Sequence, residues 1–146
     1  MKKIALLALC FIALAVVGCK EEPPDYVGVW VDATTLALAG TTVTFDLDAD
    51  AATLTIDNTL ADDVVVVGSL EQTNSTTLTT TITQMTVGVG PPLTGAALEA
   101  ALFATYGLTP VNTFTYSVAG NTMTITSALI LALTNNFTNT LTAVRS

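Results

Sequence analysis

The chain has 146 residues, of which 51% are hydrophobic and only 11% are charged. All 12 acids follow position 18, where the only cations are Lys20 and Arg145, so this part carries a net charge of −10. Such an acidic balance argues against nucleic acid as a partner, which requires a basic patch. The absence of histidine, and of lysine after Lys20, excludes His-based triads, Schiff-base lysines, P-loops and most metal sites.

The N-terminus has the pattern of an export signal. Lys2 and Lys3 precede an apolar run of 14 residues, Ile4 to Val17. The run is too short for a transmembrane helix, which needs about 20 residues, and a positive start before such a run is typical of a signal peptide. We therefore expect residues 1–18 to be removed, which leaves about 128 residues, enough for one domain.

The segment Val16-Val17-Gly18-Cys19 resembles the lipobox of bacterial lipoproteins. The resemblance implies that the Cys19 thiol receives a diacylglycerol, that the chain is cut before it, and that the new amine is acylated. Membrane lipid is then a partner through Cys19. The sorting rules of that family, with Lys20 rather than Asp after the cysteine, imply the outer membrane, with the domain facing the periplasm or the cell surface. The alternative is an ordinary cleaved signal followed by an unrelated cysteine.

Residues 19–25 are predicted to be a tether between the lipid and the domain. Pro23 and Pro24 stiffen this stretch, and about six extended residues reach roughly 20 Å. Cys10 leaves with the signal and Cys19 is predicted to be a thioether. The mature domain is therefore expected to contain neither a free thiol nor a disulfide.

From Tyr26 onward, apolar residues alternate with threonine and aspartate. Val43, Phe45 and Leu47, for example, are separated by Thr44 and Asp46. This period of two predicts half-buried antiparallel strands. Eight strands are predicted, over about 26–32, 41–48, 52–58, 63–73, 76–87, 112–119, 121–133 and 137–144. Short turns are predicted at Asp48–Ala51, Thr73–Ser75, Gly120-Asn121 and Asn135-Asn136.

One segment of about 94–106 is predicted to be a helix. Thr94 is a suitable N-cap and Gly107 a suitable stop. The apolar stripe of this helix consists of Leu98, Ala101, Leu102 and Tyr106. The predicted fold is all-β: an eight-stranded antiparallel up-and-down barrel over residues 26–146, with one short inserted helix. Closure into a barrel is favoured because it removes exposed strand edges.

The opening of the first strand, Gly28-x-Trp30, resembles the first motif of the lipocalins (calycins). In that family the glycine permits tight passage into the barrel floor, the tryptophan plugs the closed end, and an arginine after the last strand lies across its ring. This chain has one tryptophan and, after the signal, one arginine, Arg145. The resemblance implies a structural pair in which the guanidinium lies within about 6 Å of the indole. The alternative is an ordinary buried tryptophan in a β-sandwich.

Two features depart from the lipocalin pattern. The Thr-Asp-Tyr motif of the family is missing, and the corresponding turn is Val118-Ala119-Gly120-Asn121. Lipocalins place their helix after the eighth strand, whereas the helix predicted here lies between the fifth and sixth. No ligand is therefore carried over from the family.

Alternation places mainly medium-sized aliphatic side chains inside the barrel. An eight-stranded barrel is wide enough either to be filled by side chains or to hold one small ligand. We expect no charged residue on the inward face, so the ligand is predicted to be neutral or to carry its polar end at the mouth. The predicted inward residues include Val43, Leu47, Leu78, Leu131 and Leu141. The predicted ligand-binding residues are Phe45, Leu54, Ile56, Ile82, Phe114, Tyr116, Met123 and Ile125.

Two other patterns have simpler interpretations. Asp46, Asp48 and Asp50 imitate the start of a calcium loop, but Ala51 and Asp57 stand where that loop needs glycine and glutamate. A solvated acidic turn is favoured, and no metal site is predicted. The 28 threonines could form an ordered array of the kind that binds ice or polysaccharide. Their spacing has no fixed repeat, which favours β-propensity and solubility as the reason for them.

No catalytic residue or cofactor is predicted. A catalytic carboxylate pair would have to face inward, whereas nearly all acids are expected in turns or on the threonine side of the strands. The exceptions are Glu99, just past the helical stripe and expected to be solvated, and Glu71, at a strand end. Two functions are left open ahead of a third, an enzyme. One is a barrel that binds a small apolar or amphiphilic molecule, with the helix 94–106 or the loop 33–40 as lid. The other is an interaction or structural lipoprotein, of filled barrel or β-sandwich type, that meets an envelope partner. The oligomeric state is left open.

Overall fold

The computed structural model describes residues 22–32, 40–59, 61–134 and 138–146. The predicted signal, Cys19, most of the predicted 33–40 lid and the predicted Asn135-Asn136 turn lie outside these residues.

Eight antiparallel strands form a closed barrel in sequence order, with β1 paired to β8. The predicted fold class is therefore confirmed. The strands are β1 (Gly28–Asp32), β2 (Thr41–Leu47), β3 (Ala51–Asn58), β4 (Val64–Asn74), β5 (Thr77–Val87), β6 (Val111–Ala119), β7 (Thr122–Ser127) and β8 (Thr140–Arg145).

The period of two in the sequence becomes the inside and outside of the barrel. In β2, Val43, Phe45 and Leu47 are buried, while Thr44 is half-buried and Asp46 is exposed. Successive side chains of a strand point to opposite faces of the sheet, so the inward apolar residues of the strands meet in one core.

The seventh strand is shorter than predicted. It ends at Ser127, and residues Ala128–Leu133 form a helix, α2, instead of continuing the strand to residue 133. The Ser127 hydroxyl accepts a hydrogen bond from the Leu129 amide at 3.1 Å, which caps the helix. Alanine and leucine, which make up most of this segment, also favour a helix over a strand. Leu131, predicted to point inward from a strand, is half-buried on α2.

The helix between β5 and β6 is present where it was predicted. It consists of α1 (Gly95–Ala101), which continues as one π-helical stretch, Leu102–Tyr106. Gly107, in the left-handed conformation with φ of 66°, ends it, as glycine commonly does. The Thr94 side chain makes no capping hydrogen bond. Two leucines of the predicted stripe are buried in the core, and Ala101 and Tyr106 pack against it.

The barrel has two different ends. The tryptophan end comprises the start of β1, the end of β8 and the short turns after β2, β4 and β6. The helical end carries α1, α2 and the turn between β3 and β4. Side chains of both helices join the barrel core at this second end: Leu98, Leu102, Leu129, Ile130 and Leu133.

Candidate functional site

The tryptophan end is closed by the pair of residues that the sequence singled out. The Trp30 side chain is fully buried, and its indole N–H donates to the Tyr26 carbonyl oxygen at 2.7 Å. The guanidinium carbon of Arg145 lies 4.5 Å from the centroid of the Trp30 ring, within the range of a cation–π interaction. Gly28 has a φ of 139°, which side chains rarely adopt, while a Cβ atom there would make an ordinary contact of 3.6 Å with Arg145 Nε.

The guanidinium of Arg145 also holds the chain that enters the barrel. Its Nη2 donates to the carbonyl oxygens of Asp25 at 2.8 Å and Val27 at 3.3 Å. The Val27 amide donates to the Pro24 carbonyl oxygen at 3.0 Å. Pro24 and Asp25, predicted to belong to the tether, are thus bonded to the domain, and the tether can extend only as far as Pro23.

Two tyrosines lie between this end and the interior. The Tyr26 and Tyr116 rings meet edge to face, with centroids 5.5 Å apart. The Tyr26 hydroxyl donates to the Ala49 carbonyl oxygen at 3.3 Å, and Gln72 Nε2 donates to the Tyr116 hydroxyl at 2.9 Å. Burial, followed by the negative charge of Asp25, raises the pKa of both tyrosines, because both effects disfavour the phenolate.

The interior contains an apolar cavity. Its volume is about 30 Å³ when only the space open to the centre of a water molecule is counted, and about 450 Å³ when narrow gaps and the mouth are included. The smaller volume decides which molecules fit without a shift of side chains, because a ligand cannot occupy the narrow gaps. The lining residues are Phe45, Leu47, Ala52, Thr53, Leu54, Val66, Gly68, Leu70, Leu78, Thr80, Phe114, Tyr116, Ile125 and Leu129.

The cavity includes five of the eight predicted ligand-binding residues, namely Phe45, Leu54, Phe114, Tyr116 and Ile125. Ile56, Ile82 and Met123 are buried in the core but do not line the cavity. Alternation predicts which side chains point into the barrel, but not at which level along the barrel axis the interior is left unfilled. The sequence therefore did not distinguish the residues that line the cavity from the other buried ones. Two lining residues lie on features that were not predicted. Gly68 lies at an irregularity in the pairing of β4 with β5, and Leu129 lies on α2.

Thr80 is a polar residue of the lining that the sequence analysis passed over. It lies between Leu78 and Ile82 of β5 and is only 4% exposed. Its hydroxyl oxygen has no hydrogen-bond partner among the residues that the structure describes. The sequence pattern already indicated that Thr80 points inward. It occupies the inward position of β5 between Leu78 and Ile82, which were both predicted to point inward.

The expectation of no charged residue on the inward face is wrong. Asp32 is 0% exposed. It follows Trp30 by two positions in β1, so both side chains point to the same, inner face of the barrel. The same alternation that places Trp30 inside therefore also places this carboxyl inside.

The outer surface of β5 to β8 carries an ordered set of hydroxyl groups, which we call the threonine face. In the paired parts of these strands, every outward-pointing residue is threonine or serine, except Val111, Ala119 and Val144. Register aligns one row across all four strands: Thr77, Thr115, Thr126 and Thr140. The absence of a sequence period therefore did not exclude ordered rows, because antiparallel pairing brings unevenly spaced residues into line. The members of the face are Thr77, Thr79, Thr81, Thr113, Thr115, Ser117, Thr122, Thr124, Thr126, Thr140 and Thr142.

The acids lie elsewhere. Except for Glu99, every acid that the structure describes precedes β5. Asp46 pairs with Thr53 near the turn of the β2–β3 hairpin, and Asp57 pairs with Thr42 near its open end. The register therefore keeps Asp46 and Asp57 apart, whereas a calcium loop would bring them together. Among residues 22–32, 40–59, 61–134 and 138–146, no three potential metal-ligating side chains of the His, Cys, Asp or Glu type form a group. Glu71 and Glu99 are both exposed.

Comparisons of the chain with family models, with curated proteins and with solved structures give no match. In the part of the chain that the structure describes, no helix combines the length and the apolar character needed to cross a membrane.

Proposed function

We propose that this chain is a lipid-anchored, non-catalytic envelope protein whose barrel takes up a small apolar molecule. The observation that carries the proposal is the interior cavity, whose walls are apolar except for Thr53, Thr80 and Tyr116. Concave sites with mainly apolar walls and a few polar groups are the usual form of a small-molecule site. The lipocalin-like features at the tryptophan end, Gly28, Trp30 and Arg145, agree with this proposal.

The size of the cavity restricts the ligand. A volume of 30 Å³ open to water centres corresponds to about two water molecules at roughly 10–15 Å³ each, whereas pockets for drug-sized molecules enclose about 300–1,000 Å³. A long acyl chain therefore does not fit. The ligand we propose is compact, and lining side chains, among them Leu129 of α2 at the helical end, must shift to admit it. We propose the helix over 94–106, at the same end, as the lid.

The proposed anchor also gives the barrel an orientation. From Cys19 to Pro23 the tether has five residues, which reach about 17 Å when extended. Because Arg145 holds the chain at the tryptophan end, that end faces the membrane and the helical end faces away. The lid then opens into the periplasm, or into the medium if the protein lies on the cell surface.

The anchor is tested by Cys19→Ser in the full chain. We expect labelling with a palmitate analogue to mark the natural chain, and the variant to lose both the label and its sedimentation with membranes. A serine variant that still sediments with membranes contradicts the lipid anchor.

The ligand is tested by native mass spectrometry of the mature domain and by NMR titration with benzene as a compact apolar probe. Phe45→Trp fills the cavity and should abolish probe binding. Phe103→Trp makes the same change on the outside of the helix, where Phe103 is 74% exposed, and should leave binding unchanged. Equal binding by both variants contradicts an interior site.

A second function is favoured by the threonine face. Between Glu71 and Arg145 the chain has a single charged residue, Glu99, so one side of a strongly acidic barrel is uncharged and rich in hydroxyls. A filled barrel that meets a neutral envelope partner through this side is the alternative. With the soluble Cys19→Ser protein, Thr115→Asp with Thr126→Asp should then abolish binding to cell-envelope material, while Thr44→Asp with Thr55→Asp on β2 and β3 should not.

A further inference from the structure

Thr80 presents a hydroxyl that the fold itself does not satisfy. The residue is 4% exposed, its oxygen has no hydrogen-bond partner among the described residues, and it lines the cavity. Buried polar groups in native proteins are nearly always bonded, and leaving one unbonded is costly. This hydroxyl therefore indicates a hydrogen-bonding group supplied from within the cavity.

The described neighbours of Thr80 do not hydrogen-bond its hydroxyl. Its methyl carbon Cγ2 packs close to Gly68, 2.9 Å from where a Cβ would stand. Its cross-strand neighbours are Leu70 on β4 and Asn112 on β6. Leu70 has no polar side-chain atom, and the Asn112 side-chain amide donates to the Thr109 carbonyl oxygen at 2.8 Å rather than bonding to Thr80.

The other buried hydroxyl of the lining is already occupied. The Tyr116 hydroxyl accepts from Gln72 Nε2 at 2.9 Å and lies at the tryptophan end with Tyr26. Thr53 belongs to the outward positions of β3, opposite Val67. Of the three polar lining residues, Thr80 is the one with an unused and buried hydrogen-bonding group.

We propose that Thr80 is the polar anchor of the ligand, and that the ligand class is a compact apolar molecule with one hydrogen-bonding oxygen, such as a small phenol, alcohol or ketone. This inference rests on the proposed uptake of a small molecule by the barrel. A plain hydrocarbon leaves the Thr80 hydroxyl unbonded, whereas an oxygenated molecule of the same shape satisfies it. Sites that bond a substrate oxygen discriminate against analogues that lack it.

The experiment compares phenol with benzene, which differ by one hydroxyl group, by NMR titration of the mature domain. Thr80→Val keeps the shape of the side chain and removes its hydroxyl. We expect this variant to bind phenol about 3- to 10-fold more weakly, the range of one hydrogen bond, and to bind benzene as well as or better than the natural chain. Thr80→Ser, which restores the hydroxyl, should recover phenol binding, and Thr81→Val on the exposed face should change neither affinity.

Other outcomes would contradict the anchoring role of Thr80 alone or the proposed uptake as well. Equal weakening of phenol and benzene by Thr80→Val, or no weakening of either, overturns the anchoring role but leaves interior binding intact. Binding of neither molecule to the natural chain overturns both the inference and the proposed uptake, and assigns the Thr80 hydroxyl to an ordered water only.

Discussion

Arg145 and Trp30 face each other as a register pair of β8 and β1, and the guanidinium carbon lies 4.5 Å from the centroid of the indole ring. This contact lies at the seam where the last strand closes the barrel on the first. Among the residues that the structure describes, the ladder there has two register pairs, Trp30 with Arg145 and Val31 with Val144. The side-chain contact of Arg145 with Trp30 is thus part of the closure of the barrel.

Removal of the guanidinium should weaken the seam. Arg145→Met loses the cation–π contact and the hydrogen bonds to Asp25 and Val27, and we expect the free energy of unfolding to fall by about 1–2 kcal/mol. Urea denaturation, monitored by the fluorescence of Trp30, measures the free energy of unfolding. Arg145→Lys keeps the charge and should lose less, and Thr142→Ala on the exposed face of β8 is the control. A loss no larger than that of the control contradicts the role of Arg145.

The helical end provides a second matched pair. Leu102 is fully buried, and the adjacent Phe103 is 74% exposed. Leu102→Ala leaves a cavity in the core and should reduce the free energy of unfolding by about 2–5 kcal/mol. Phe103→Ala removes a larger side chain but no packing, and should change it by less than about 0.5 kcal/mol. Similar losses from both variants would show that the π-helical stretch Leu102–Tyr106 does not contribute to the core as described.

Gly68 marks a close approach of β4 and β5. A Cβ at this position would lie 2.6 Å from the Thr81 carbonyl oxygen, closer than backbone atoms permit. Gly68→Ala should therefore displace a strand and reduce the free energy of unfolding by about 1–3 kcal/mol. Ser69→Ala, one residue along and exposed, is the control. An unchanged midpoint of denaturation in Gly68→Ala would mean that the strands separate freely at this point.

Alkaline pH should destabilise the domain through its tyrosines. Burial, with the charge of Asp25 second, raises the pKa of Tyr26 and Tyr116 above the ordinary value of 10.0. The folded state then holds the phenolic protons more tightly than the unfolded state. This contribution to stability is fully present below about pH 10 and is lost as the pH rises through the folded-state pKa values.

Spectrophotometric titration separates the two causes of that shift. The pKa of Tyr106 is raised by burial alone. Asp25→Asn should therefore lower the pKa of Tyr26 and Tyr116 towards 10.0 and leave that of Tyr106 unchanged. With only three tyrosines in the chain, single Tyr→Phe variants assign each transition. An equal response of all three tyrosines would contradict the charge effect.

The sequence was informative where a single local rule decides the outcome. Alternation in β2 placed Val43, Phe45 and Leu47 inside because the pleat admits no other arrangement once one face is buried. Gly107 ended the helix because it takes a positive φ at little cost. Local rules failed at Ala128–Leu133, where an apolar run fits both a strand and a helix by hydropathy, and where Ser127 supplies the cap that decides between them.

By itself, the sequence determined the eight strands, apart from the end of β7, and the helix between β5 and β6, and it supplied the one tryptophan and one late arginine that close the barrel. The strands and the helix follow from periodicity and from capping residues, whereas the pairing of Trp30 with Arg145 was implied by the resemblance to the lipocalins. Only the tertiary structure decided which inward side chains line the cavity, that Thr80 is left without a hydrogen-bond partner among the described residues, and that Thr77, Thr115, Thr126 and Thr140 form one row. Each of these depends on register and on how tightly neighbouring strands approach, and both are relations between residues far apart in the chain.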